Sequence, residues 1–220
     1  MPLRGLIFDV GDILYDATAW RRWLAVELSQ RGCAVTYPEL VVAWEALLVD
    51  VYRGQANYWD RFRDLLSRFG LPLESHTDFE ALARDKGQAV QVDRSPMPNV
   101  PATLDGLRAR GIQLAALSDT ESGETGLRKL LKQLQLEARM DAVVSSFEIG
   151  HAKPEPEAYQ HALNALKLNK DDCAFVGHDI DELEGAQAFG LTAIAYNYAD
   201  QAPADVYIDD FSELLTAVAE

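Results

Sequence analysis

Short apolar runs recur along the chain, and beyond Pro101 they alternate with segments of helical periodicity. Residues 3–8 are almost uniformly apolar and end at Asp9, which reads as a buried strand. Residues 112–117, 142–144, 174–176 and 192–195 repeat that texture. Between them, residues 104–110, 126–136, 157–166 and 181–189 carry apolar side chains at helical spacing. Gly111 follows the first of these helices and Gly190 the last, where a left-handed residue commonly closes a helix. Alternation of this kind implies right-handed crossovers and a mostly parallel sheet. An α/β core is expected.

Between Tyr15 and about Asp93 the strand-like runs vanish and amphipathic helices take over. Thr36 with Glu39, and Thr77 with Glu80, both have capping-box spacing. Gly32 and Gly70 sit where helices should stop. All four tryptophans, Trp20, Trp23, Trp44 and Trp59, fall in this stretch, which makes it a small helical body with its own core. One or two of them could instead face a substrate pocket or an interface. Residues 95–101 hold three prolines and read as the return linker, denied helix and central strand. The expected division is residues 1–14 and 95–220 for the α/β core and residues 15–94 for the helical insert.

Composition narrows the functional classes. Hydrophobic residues make up 48 % of the 220 and charged residues 25 %, ordinary for a globular protein. No apolar run is long enough to span a membrane, and the start runs at once into a strand, unlike a secretory signal. A cytoplasmic location is expected. Twenty Lys and Arg against thirty-five Asp and Glu give a net charge of −15. Such a surface repels phosphate backbones, so nucleic acid and anionic membrane are not expected partners. An anionic substrate needs a local positive group or a bound cation. Cys33 and Cys173 lack metal-like spacing and read as apolar fillers of a reduced protein. Nothing in the pattern fixes an oligomeric state.

Four groups stand at the carboxyl ends of the expected core strands, where open α/β sheets bind ligands. Asp9, followed by the turn residue Gly11, can attack an electrophile or bind a cation. Ser118 and Asp119 offer a hydroxyl and exposed amides for phosphate oxygens, or simply a helix cap. In Lys153-Pro154-Glu155-Pro156 two prolines fix one lysine in place. In Gly177-His178-Asp179-Ile180-Asp181-Glu182 acids crowd the head of a helix, where its dipole favours them in any protein. Together, hard oxygens and a lysine suit Mg²⁺ and a phosphoryl group.

In this order the four groups resemble the haloacid dehalogenase (HAD) superfamily of hydrolases, over essentially the whole chain. The segment Lys153-Pro154-x-Pro156-x-x-Tyr159 is the most specific part of the likeness. The resemblance implies a Rossmann-like, doubly wound sheet with an inserted all-helical cap. It implies Asp9 as the nucleophile that takes up a phosphoryl group, with Lys153 as the second catalytic residue. Ser118, Asp119 and Lys153 would bind phosphate. Mg²⁺ would sit on Asp9, the Gly11 carbonyl and Asp179, with Asp181 and Glu182 as alternative acids.

Two positions depart from the family pattern. Gly11 stands where its phosphatases carry an acid–base Asp, and Asp12 follows it. His178 occupies the usual acid position of the fourth motif, is read as a loop residue, and leaves Asp179 as the ligand. A phosphatase acting on a small phosphorylated metabolite is the expected function. A HAD-fold binding protein with weakened chemistry is the alternative. A 2-haloacid dehalogenase is disfavoured, because Asp119 and Glu45 would repel a haloacid and Glu45 stands where a cap arginine would be sought.

Overall fold

The computed structural model describes residues 3–199 and 201–218. Its sheet has six strands: β1 (Gly5–Phe8), β2 (Gln113–Ser118), β3 (Ala142–Ser145), β4 (Cys173–Gly177), β5 (Thr192–Tyr196) and β6 (Val206–Ile208). They run parallel in the order β3-β2-β1-β4-β5-β6, so the winding reverses at β1. Five strands lie where the apolar runs place them. The sixth, Val206–Ile208, is too short to show a period.

Both faces of the sheet are covered. In β1, Leu6 and Phe8 join one hydrophobic cluster and Ile7 joins the other. Helices α5 (Val100–Ala109), α6 (Glu124–Gln133) and α10 (Leu214–Ala217) pack on the Phe8 side. Helices α8 (Pro156–Leu166) and α9 (Ile180–Phe189) cover the Ile7 side, and the short α7 (Ser146–Ile149) follows β3. With crossovers on both faces the sheet is doubly wound.

The insert holds α1 (Thr18–Gln30), α2 (Tyr37–Tyr52), α3 (Tyr58–Arg68) and α4 (His76–Val92). These bury a third cluster around Leu24, Leu40, Leu48, Phe62 and Phe79, with Trp44 inside it and the other tryptophans packed against it. The Thr36–Glu39 capping box opens α2 as expected. The Thr77–Glu80 box does not form, because α4 begins at His76. The buried His76 ring bonds the Leu71 carbonyl and pulls the helix start upstream, while Glu80 pairs with Arg63 and Arg84. The linker is also shorter than expected. Pro101 lies in the first turn of α5, where a missing N–H costs nothing. Both cysteines are buried and free, and among the described residues no helix is long and apolar enough to cross a membrane.

Candidate active site

Asp9 leaves the sheet at its switch point, its N–H donating to the Val176 carbonyl of the neighbouring strand β4. Its carboxylate is buried and accepts a hydrogen bond from Lys153 Nζ at 2.5 Å. The same ammonium reaches Glu182 Oε2 on α9 at 2.9 Å. Lys153 is held there from two sides. Its backbone N–H donates to Asp119 Oδ1 at 3.2 Å. Pro154 beside it lies against Gly185 of α9, where a Cβ would come within 2.4 Å of the Pro154 Cβ. The absence of a side chain at Gly185 lets α9 close on the lysine loop and delivers Glu182, one turn earlier, to the ammonium.

Asp9 and Glu182 thus share one buried cation, and Asp119, bonded to the backbone of the same lysine, lies close enough to feel its charge. Burial raises the Asp119 pKa to about 6 against the pull of Lys153, and burial likewise raises Glu182 well above the carboxylate range. Burial opposes the charge on Lys153, but Asp9, Glu182 and Asp119 outweigh it and hold the ammonium protonated. The centre is short of positive charge.

Ser118 ends β2 with only 7 % of its surface exposed, and it lines the same cavity as Asp9, Gly11 and Asp119. Gly11 has a Cβ position meeting only Ala17 Cβ, at 3.5 Å, so the turn does not require a glycine. Asp12 takes a left-handed conformation, φ 58°. Its Oδ1 accepts the Ala17 N–H at 2.8 Å and its Oδ2 accepts from Arg21 at 2.5 Å. Asp179 caps α9, one oxygen accepting the N–H groups of Asp181 and Glu182. Asp179 and Glu182 line the cavity; Asp181 is exposed and lines a neighbouring shallow depression instead. His178 Nε2 lies 3.8 Å from Asp9 Oδ2, its ring open to the cavity.

The cavity encloses about 560 Å³ and is roofed by the helical insert. Trp20, Trp44, Tyr52, Tyr58 and Trp59 line it, so three of the four tryptophans serve the insert's core and the pocket together, and Trp23 serves the core alone. Glu45 lines the cavity with its side chain half exposed and pairs with Arg21. The cap guanidinium comes from α1, not from the neighbourhood of Trp44: Arg21 sits 3.6 Å from Glu45 as well as on Asp12. Its sequence signal was available. Arg21 shares the helical face of Leu24, Ala25 and Leu28, which are buried.

Comparison with known proteins shows the family to which this fold belongs. The family model for haloacid dehalogenase-like hydrolases matches residues 3–190. The chain belongs to that family. An (S)-2-haloacid dehalogenase of Burkholderia cepacia is 26 % identical over 205 residues, 91 % of this chain and 86 % of that one. A phosphoglycolate phosphatase of Salmonella paratyphi A is 24 % identical over 238 aligned positions, 98 % of this chain and 92 % of that one. The L-2-haloacid dehalogenase structure from Xanthobacter autotrophicus superposes with a TM-score of 0.73 at 19 % identity, covering 99 % and 98 % of the two chains, a likeness of fold. As a HAD hydrolase the chain carries the helical cap between the Asp9 loop and α5.

Proposed function

We propose that the chain is a phosphomonoesterase acting on a small phosphorylated metabolite through an acyl phosphate on Asp9, with a divalent cation of which Mg²⁺ is the expected example. What carries this is the crowding of acids at the centre: Asp9 and Glu182 share the one ammonium of Lys153, and Asp119 accepts the backbone N–H of the same residue. A phosphate dianion cannot enter such a field without a further positive charge. Displacement of halide by a carboxylate needs no Lewis acid and gives no reason for the surplus. The donor set fits a cation, since Asp9, the Gly11 carbonyl and the second oxygen of Asp179 are hard oxygens beside the cavity. When bound, the cation would neutralise phosphate oxygens and favour the ionised Asp9.

The chain's own residues do the rest. Asp9 attacks phosphorus while the bond to the leaving oxygen breaks, and water then hydrolyses the acyl phosphate. Lys153 offsets charge on Asp9 and on the transferring group. The Ser118 hydroxyl and the backbone around Asp119 bind phosphate oxygens. The family's dehalogenases keep a second reading open through Arg21, a guanidinium in the cavity that could take a carboxylate, although Asp12 and Glu45 already occupy it.

A panel of phosphate esters, with added Mg²⁺ and with EDTA, separates the readings when 2-halocarboxylates are assayed beside it. Phosphate release abolished by EDTA is expected. Halide release that persists in EDTA would overturn the proposal in favour of a dehalogenase, and inertness toward both panels would leave a ligand-binding protein.

A further inference from the structure

We propose that His178 is a metal ligand, and that it tunes this centre to ions that accept imidazole, of the Mn²⁺ and Co²⁺ class, over Mg²⁺. The inference rests on the centre holding a divalent cation, as proposed above, and goes beyond it in naming the ion class. His178 follows β4 at the carboxyl edge of the sheet, one strand from Asp9. Its Nε2 stands 3.8 Å from Asp9 Oδ2, on the opposite oxygen from the one Lys153 holds. Two donors about 2.1 Å from a shared ion lie between about 3.0 and 4.2 Å apart, so the pair is spaced for one ion between them. The imidazole side chain is about one-third exposed, and both residues line the cavity from which an ion would enter.

Two alternatives weigh against this. An imidazolium could simply pair with Asp9. At 3.8 Å the separation of Nε2 and Oδ2 is beyond hydrogen-bond distance, so no direct bond from the imidazole to Asp9 accounts for the ring's position. Asp179 could replace His178 as the nitrogen-free ligand. One of its oxygens is held by the N–H groups at the start of α9, which limits its approach. Mg²⁺ takes oxygen ligands in near-octahedral geometry and gains little from imidazole, whereas first-row transition ions gain much. A site whose best-placed donor beside Asp9 is a histidine therefore discriminates between them.

A second cluster could confuse a binding measurement. His151, Glu155 and Glu157 offer ligand atoms within 4.8 Å of one another. Glu155 is already paired with Arg53, and nothing else points to a ligand there, so the cluster is removed as a background by His151→Ala. In the metal-stripped His151→Ala protein, Co²⁺ titration is followed by its visible absorption and Mg²⁺ by competition. Co²⁺ should bind at least about tenfold tighter than Mg²⁺. Adding His178→Ala should weaken Co²⁺ by about tenfold or more and leave Mg²⁺ nearly unchanged, and His178→Asp should reverse the preference. Should His178→Ala fail to fold, the near-isosteric His178→Asn serves in its place. Equal Co²⁺ affinity with and without His178, or Mg²⁺ binding as tightly as Co²⁺, would overturn the assignment. Failure of the phosphatase reading looks different: Co²⁺ binds through His178 but no phosphate ester is turned over.

Discussion

On the sheet side of the cavity each reactive group follows the end of a strand or a loop pinned between two elements. Asp9 and Ser118 leave β1 and β2, and Lys153 is clamped by Asp119 and by the close approach of Gly185 to Pro154. On the cap side the groups are long side chains on helices, steered by ion pairs: Arg21 between Asp12 and Glu45, and Arg53 on Glu155 across the seam. The sheet fixes its groups through backbone register, and the cap fixes its groups through charge. Damage to the clamped Lys153 should therefore cost chemistry and folding together, while damage on the cap side should be graded and local.

The largest effect is expected at Asp9, the proposed nucleophile. Asp9→Asn keeps shape and removes the attacking charge, so turnover should fall by at least about 10³-fold, whichever leaving group the enzyme uses. Thermal unfolding should show a folded protein. Near-wild-type turnover would remove Asp9 from the mechanism.

Next come two cations of equal charge in unequal surroundings. The Lys153 side chain is 1 % exposed, and Lys153→Met leaves Asp9 and Glu182 facing one another, which should cost about 3–5 kcal/mol in urea unfolding. The Arg53 side chain is 33 % exposed, and Arg53→Met should cost under about 1 kcal/mol. Similar losses in both would mean that the seam, not the buried centre, carries the stability.

Steric room gives a third contrast. Gly185→Ala pushes a Cβ to 2.4 Å from Pro154 and should destabilise by about 1–3 kcal/mol while lowering turnover through Lys153. Gly11→Ala meets only Ala17 at 3.5 Å and should fold with little loss. If Gly185→Ala is as benign as Gly11→Ala, the close packing of α9 on the lysine loop does not position the ammonium.

Asp119 titrates this centre. Its pKa rises from 3.8 in the unfolded chain to about 6 through burial, so between those values the folded chain binds a proton that the unfolded chain has released. The sign follows: its contribution to stability falls as pH rises through that window and levels off above it. Asp119→Asn keeps an acceptor for the Lys153 N–H and should be more stable than wild type at pH 7.5, with the gain gone at pH 4. A pH-independent difference would mean that Asp119 is not desolvated as described.

The strand ends were legible because parallel strands buried on both faces read as unbroken apolar runs, and the residue after each run must lie at the carboxyl edge. Asp9, Ser118 and Lys153 came from that rule and from the proline frame of the lysine. Glu182 was only one of three candidate acids, since sequence shows the helix head but not that Gly185 draws α9 onto Pro154. Arg21 was missed for a different reason. Its direction depends on how α1 docks over the sheet, and only its place on the apolar face of that helix hinted that it points inward. The Thr77 box failed because the buried His76, absent from any capping pattern, sets where α4 begins.

The smallest effect is a predicted absence, and it tests the cap side directly. Gly11 removes the side-chain acid two positions after Asp9, and Asp12 is the nearest substitute in sequence. Both Asp12 oxygens accept hydrogen bonds, one from the Ala17 N–H and one from Arg21, so a proton on either would break a contact that holds the loop. Asp12 therefore braces the Asp9 turn against the cap and, for the phosphatase proposed above, is not expected to protonate the leaving oxygen. Asn accepts one of the same bonds and tolerates the left-handed φ of 58°, so Asp12→Asn should fold. Across phosphate esters of rising leaving-group pKa, wild-type turnover should fall steeply, and Asp12→Asn should show the same slope. Gly11→Asp, for which the turn has room, should flatten it by restoring part of the roughly 10²–10⁴-fold that a general acid contributes. A shallow wild-type slope that steepens in Asp12→Asn would show that Asp12 supplies the proton after all. A shallow slope indifferent to Asp12 would move that task to His178, 3.8 Å from Asp9, and take the imidazole away from the metal.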